Sequence, residues 1–290
     1  MARKAAKSSQ RTRFPDISAD AFLADTDRKA LAALKKVPLL PQAISKFHES
    51  GIDRWVYCWN MAMSVRCGPK QYGTLHRILK ECCEILDMPE PELYLSSNPF
   101  PNAFAGGVER PYITLRSSIV DTLDDEQLYH LIGHELGHIK AGHVLYQELA
   151  TFFLMPFMEF IARKTLGLGD AAQLALVAAF FEWSRQAEIT ADRAGLLCSQ
   201  NFRTSASANL MLTGGPNRLS HEADTDQFMD QARTYQDMIF VDSVGKMLIF
   251  MTYGMGSTHP MPVHRVQHLE QWYESGAFGR VMSGNYPKVK

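Results

Sequence analysis

The sequence has little net charge, no paired cysteine pattern, no long apolar run and no acid at its start. Each absence excludes something. A formal net charge of −1 gives no global pull toward nucleic acid or an anionic membrane. Five cysteines make an odd number, and Cys58, Cys67, Cys82, Cys83 and Cys198 fit no disulfide framework or zinc knuckle. They read as free thiols of a reducing compartment, several of them core residues. No apolar run follows the basic start (Arg3, Lys4, Lys7, Arg11, Arg13), so a secretory signal is not expected and the cytoplasm is. Residues 1–15 read as a disordered basic tail, with a weak tether to anionic lipid as the sharper alternative. What remains is an ordinary globular composition, 46% hydrophobic and 21% charged, in a chain long enough to bury a core around a cleft.

The apolar spacing predicts helices over 17–36, 53–67 and 71–87, with Ser18 as the first N-cap. Leu75, Ile78, Leu79, Cys82, Ile85 and Leu86 make one apolar face in the third. The period then changes. Glu92–Leu95, Ala103–Ala105 and Tyr112–Leu115 read as short strands of a small sheet with an open edge. Thr122 to Asp125 resembles a capping box opening a helix that runs to about Tyr146. Gly133, Gly137 and Gly142 inside it suggest close approach of a neighbouring helix.

Residues 149–183 hold two apolar runs separated by Arg163 to Asp170. Each falls short of the about 20 residues a spanning helix needs. The segment reads as an apolar hairpin, serving as a helical arm, an oligomer surface or a peripheral membrane contact. A further helix is expected from Ser184 to Ser199. The expected organisation is an N-terminal helical segment over 16–70, a catalytic domain over 71–275 that includes the hairpin, and a tail over 276–290. The fold class is mainly α with a small β-sheet.

The chemistry lies at His134-Glu135-Leu136-Gly137-His138. Residues four apart share a helix face, so both imidazoles can reach one metal ion while Glu135 reaches a water on it. This is the H-E-x-x-H zinc peptidase pattern. A catalytic zinc takes three protein ligands and keeps one position open. His143 sits about 140° around the helix from His138 and makes a poor ligand. His130 lies a turn too far. Both read as surface or packing histidines. Glu188 is the better third ligand. Asp192, one turn on, could accept the second ring N–H of a liganding histidine.

These segments resemble the HtpX-like zinc metallopeptidases, a group that includes the CAAX prenyl endoproteases and the Oma-type mitochondrial protease. The resemblance rests on the His134–His138 motif, on Glu188 with Asp192 and Arg193, on Pro101-Asn102-Ala103-Phe104-Ala105-Gly106, and on Thr258-His259-Pro260 with Arg265. It covers roughly 70–270. It implies a zincin-like fold and one zinc ion held by His134, His138 and Glu188. It also implies Glu135 as general base and then acid, Asp192 as the partner of His134, and His259 as an oxyanion donor. Asn102 and Ala103 would lie on an edge strand that pairs with an extended polypeptide substrate. Arg265 would pair with an acid near the site. Two departures stand out: there are no long spanning helices, and His259-Pro260 is followed by Met261 rather than a second proline. The expected function is a zinc-dependent endopeptidase. The alternatives are a latent or scaffold-like zinc protein that binds a partner, and a membrane-associated quality-control protease.

Overall fold

The computed structural model describes residues 11–36, 40–150, 171–215, 217–237 and 262–289. Its helices are α1 (Asp25–Leu34), α2 (Leu40–Ser50), α3 (Ile52–Met63), α4 (Gly73–Leu86), α5 (Ser117–Thr122), α6 (Asp125–Lys140) and α7 (Val144–Glu148). They continue with α8 (Ala171–Ser199), α9 (Phe202–Gly214), α10 (Thr225–Asp237), α11 (Pro262–Glu274) and α12 (Ala277–Met282). The strands are β1 (Val65–Arg66), β2 (Glu92–Ser96), β3 (Ala103–Gly106) and β4 (Tyr112–Arg116), in the order β1-β2-β4-β3. Only β2 and β4 run parallel. The architecture is mainly α with one small sheet, as expected.

Alternation along β2 and β4 divides the sheet into two faces. Leu93, Ile113 and Leu115 join the main core with Leu79 and Ile132. Tyr94 and Tyr112 point the other way and pack on Val56 of α3. The sheet is therefore a middle layer, with α3 on one side and α4 and α6 on the other. β3 is the outer strand, and both α6 and α7 contact it.

α6 is the central element. From Leu128 to His138 every residue is buried, because α8 packs along it. A Cβ at Gly133 would come within 2.5 Å of Cys198 Cβ, and one at Gly137 within 2.7 Å of Ala194 Cβ. The two glycines thus permit the helix contact that places the site. Gly142 does something else: at φ +73° it lies past the end of α6, in the left-handed region that glycine tolerates.

Several boundaries differ from expectation. Residues 17–36 are split, because Ser18 caps only a short 3-10 turn and Ala24 is extended before α1. Residues 53–67 end as helix at Met63, and Val65 and Arg66 join the sheet instead. Thr122 closes α5, its hydroxyl donating to Ser118 O, while the capping box before α6 uses Asp124 and Gln127. The helix expected to reach Tyr146 stops at Lys140, and α7 follows. The helix expected from Ser184 begins at Ala171 and is continuous through the second apolar run. Residues 151–170 of the hairpin lie outside the described residues. Among the described residues no helix is long and apolar enough to cross a membrane.

Neither end is a loose tail where it is described. Phe14 is buried and its N–H donates to Ile85 O. Phe278 and Val281 of α12 lie in the main core, and Ile17 bridges Lys288. The described stretch 276–289 therefore packs onto the domain, and the described part of the 16–70 segment shares its core through Ile17, Phe22 and Cys67. Cys58 is exposed; the other four cysteines are buried, and all five are free.

Candidate metal centre

α6 carries His134 and His138 one turn apart, and α8 lays Glu188 across them. His134 Nε2 lies 3.2 Å from His138 Nε2. Glu188 Oε2 is 3.4 Å from the first ring and Oε1 is 3.3 Å from the second. One atom from each of the three groups falls within 4.8 Å of the other two, and all three are buried. One ion could sit among them. Two neutral imidazoles and a carboxylate are the donor set of a catalytic zinc with an open fourth position, so the residues fit that ion. Glu135 is buried beside them at 5% exposure.

Each histidine is oriented through its other ring nitrogen. His134 Nδ1 lies 3.0 Å from Asp192 Oδ1. Asp192 in turn accepts from Arg265 on α11, at 2.8 Å from Nε and 2.5 Å from Nη2. Arg265 Nη1 is 3.5 Å from Glu188 Oε2. Arg265 thus pairs with an acid at the site, as the resemblance implied. Burial opposes charge on Asp192, but the Arg265 guanidinium outweighs it and holds the carboxyl well below its usual range. Burial also opposes charge on His134, yet Asp192 and Glu188 raise its pKa to about 9. On His138 burial wins over Glu188, and its pKa falls to about 4.

The residues around His138 went unnoticed in the sequence. His138 Nδ1 is 3.0 Å from His143 Nδ1 and 3.2 Å from the Gln147 amide nitrogen. His143 Nε2 is 3.0 Å from Asp27 Oδ2 on α1. His143 lies past the end of α6 and not on that helix; it is fully buried, the packing alternative of the two readings. His130 is buried too, with Nε2 3.6 Å from Asp192 Oδ1. Its signal was there: an i, i+4 relation to His134 that puts it on the same face of α6. Nothing in the local pattern marked Asp27.

Asn102 directly precedes β3, and its side-chain oxygen accepts from Ala103 N–H at 3.0 Å. Ala103 itself is buried and faces Leu115. Phe104 is 40% exposed on the outer strand. His259 lies outside the described residues.

A helical fold with a small sheet, and a buried His-His-Glu cluster with a glutamate beside it, defines a metallopeptidase. Peptidase family M48 matches residues 69–273, and the chain belongs to that family. It is similar to the plastoglobule-localized metallopeptidase 48, chloroplastic, of Arabidopsis thaliana, at 28% identity over 90% of this chain and 75% of that protein. It is also similar to a Protease HtpX homolog of Moorella thermoacetica, at 24% identity over 76% of this chain and 78% of the relative. Protease HtpX of Legionella pneumophila is 25% identical over 69% and 76%. No solved structure matches the chain.

Proposed function

We propose that this metallopeptidase uses zinc, one ion per chain, and acts as an endopeptidase on extended or unfolded polypeptides. The observation that carries the reading is the approach of His134, His138 and the Glu188 carboxylate to within 3.2–3.4 Å of one another, with Glu135 next in the chain. A zinc ion held there supplies a Lewis acid that polarises the scissile carbonyl and lowers the pKa of a coordinated water toward about 7. Glu135 takes a proton from the attacking water. Glu135 then returns that proton to the leaving amine. Asp192 keeps His134 turned with Nε2 toward the site. The outer strand β3, entered at Asn102 and Ala103, offers backbone groups to an extended substrate. His259 as an oxyanion donor rests on the motif resemblance.

The test is metal content together with cleavage of casein, comparing wild type with Glu135→Gln. One zinc per chain, with cleavage that a chelator and Glu135→Gln both abolish, supports the reading. Cleavage that survives Glu135→Gln sinks the role of Glu135. Peripheral membrane contact through 149–183 is a separate proposal, supported by the two apolar runs. A chain that stays wholly with the soluble fraction in liposome flotation counts against it.

A further inference from the structure

We propose that Asp27 is a positioning residue for the metal site, fixing the ring of His138 through His143. The inference rests on His138 being a metal ligand and adds the device that aims it. It also gives the N-terminal segment, which precedes the matched region 69–273, a part in the site.

Three buried groups stand in line. His138 Nδ1 faces His143 Nδ1 at 3.0 Å, and His143 Nε2 faces Asp27 Oδ2 at 3.0 Å. The direction of the protons follows from counting donors. If His138 gives Nε2 to a metal, Nδ1 must carry its hydrogen. His143 Nδ1 must then accept, which puts the hydrogen of His143 on Nε2. That nitrogen lies 3.0 Å from Asp27 Oδ2, a close contact short of hydrogen-bond alignment, beside a carboxylate that only accepts. Reversing one tautomer would set two hydrogens or two lone pairs against each other. The Gln147 amide, 3.2 Å from the same His138 Nδ1, would turn its oxygen inward, an orientation its two-fold symmetry allows.

The anchor at the far end is held firmly. Asp27 is 0% exposed. Thr190 donates its hydroxyl hydrogen to Asp27 Oδ2 at 2.6 Å and accepts from Ala24 N–H at 3.0 Å. Thr190 lies on α8, two residues after Glu188. The helix that supplies the carboxylate ligand therefore also fixes the anchor of His138. His143 is wedged edge-on against the buried Trp183 ring, 5.6 Å between centroids. Burying an ionised carboxylate there is costly unless it is paired, and its partners are this histidine and this hydroxyl. Asp192 does the same service for His134 in one step; Asp27 does it in two.

The test is zinc affinity of the full chain, measured by competition with a chromogenic chelator. Groups that orient a metal-binding histidine typically carry 10–100-fold in affinity. Asp27→Asn and His143→Ala should each weaken zinc binding by about that factor. The double variant should bind no more weakly than His143→Ala alone, because the two act in series. Folded Asp27→Asn with affinity within about twofold of wild type would overturn the proposal. So would losses that multiply in the double variant, since they would mean independent structural roles. A readout on the zinc-loaded wild type needs no variant to fold. Long-range proton–nitrogen NMR of its imidazoles should show the hydrogen on Nε2 of His143 and on Nδ1 of His138. A hydrogen on Nδ1 of His143 overturns the line. A wild-type chain that takes up no zinc removes the metal site and this inference together. Tight zinc binding that His138→Ala abolishes, with Asp27→Asn unaffected, removes this inference alone.

Discussion

His134 and His138 sit one turn apart on the same helix, yet each is braced from a different part of the molecule. His134 is braced from α8 and α11, where Asp192 is locked by two bonds from Arg265. His138 is braced from α7 and α1, where His143 and Asp27 stand in line. The first brace is a buried ion pair and falls inside the stretch that matches the family. The second begins outside it. Burial opposes charge on both rings, but Asp192 and Glu188 raise His134 to about 9, whereas on His138 burial outweighs Glu188 and the pKa falls to about 4. A site can therefore be symmetric in its ligands and asymmetric in what holds them.

The sharpest way to use that asymmetry is to disturb the chemistry and leave both braces alone. Glu135→Gln should do so. General acid–base catalysis contributes about 10²–10⁴-fold, so peptidase activity should fall by that factor or more while bound zinc is retained. Glu188→Ala removes the group both rings share, and zinc content should fall to a small fraction of one per chain. A Glu188→Ala protein with a full equivalent of zinc would put the third ligand elsewhere.

Breaking one brace at a time comes next. Asp192→Ala leaves the Arg265 guanidinium, whose side chain is 14% exposed, without its main partner. Stranding a buried charge costs about 3–5 kcal/mol. Chemical denaturation of the metal-free chain should show a loss of that size. Asp27→Asn strands no guanidinium, and its cost should be about 1–3 kcal/mol. Equal losses from the two substitutions would erase the distinction between the braces. Gly137→Ala bears on the frame behind both. Its methyl would press on Ala194 Cβ, and overpacking of that kind costs about 1–3 kcal/mol. An unchanged unfolding midpoint would mean that α6 and α8 separate without penalty.

The half of the site that the sequence made legible is the half with helical periodicity. His134 and His138, then Glu188 and Asp192, are pairs four apart, and a pair at that spacing announces a shared face. Arg265, and the substrate-pairing role of Asn102 and Ala103, could be read only by resemblance. Asp27 could not be read at all. It reaches His143 across more than a hundred residues of chain, and an aspartate that shares a first helical turn with Asp25 looks like an ordinary dipole partner. The angle that set His143 aside assumed an unbroken helix, but α6 ends at Lys140 and the break at Gly142 turns His143 back under His138. The fold shows the same division. Apolar period placed α4, α6 and three strands. It failed at the starts and ends, where caps decide: Ser18 opens only a short 3-10 turn where a helix to Lys36 was expected, and Asp124 displaces Thr122. The continuity of α8 from Ala171 was hidden because an apolar run followed by a polar one looks like two helices.

A third buried carboxylate extends the comparison to a case with no cation. Glu148 of α7 accepts from Gly107 N–H at 2.6 Å, at the end of the outer strand β3. Burial raises its pKa to about 7; the Gly107 bond lowers it, and the nearby charge of Asp53 adds to the rise. The folded value lies above the ordinary 4.5, so between those two pH values the folded chain binds more protons than the unfolded one. Stability should therefore fall as pH rises from about 4.5 to 7 and stay lower above that. Asp192, with its depressed pKa, has the opposite sign: its contribution is present at neutral pH and is lost in acid. Glu148→Gln keeps an acceptor for Gly107 and removes the buried charge. It should raise stability at pH 8 by about 1–3 kcal/mol and leave pH 4.5 nearly unchanged. Urea denaturation at the two pH values measures this. A stabilisation equal at both would show that folding leaves the Glu148 pKa unshifted, and a loss at pH 8 would show that its charge is needed to hold the end of β3 against α7.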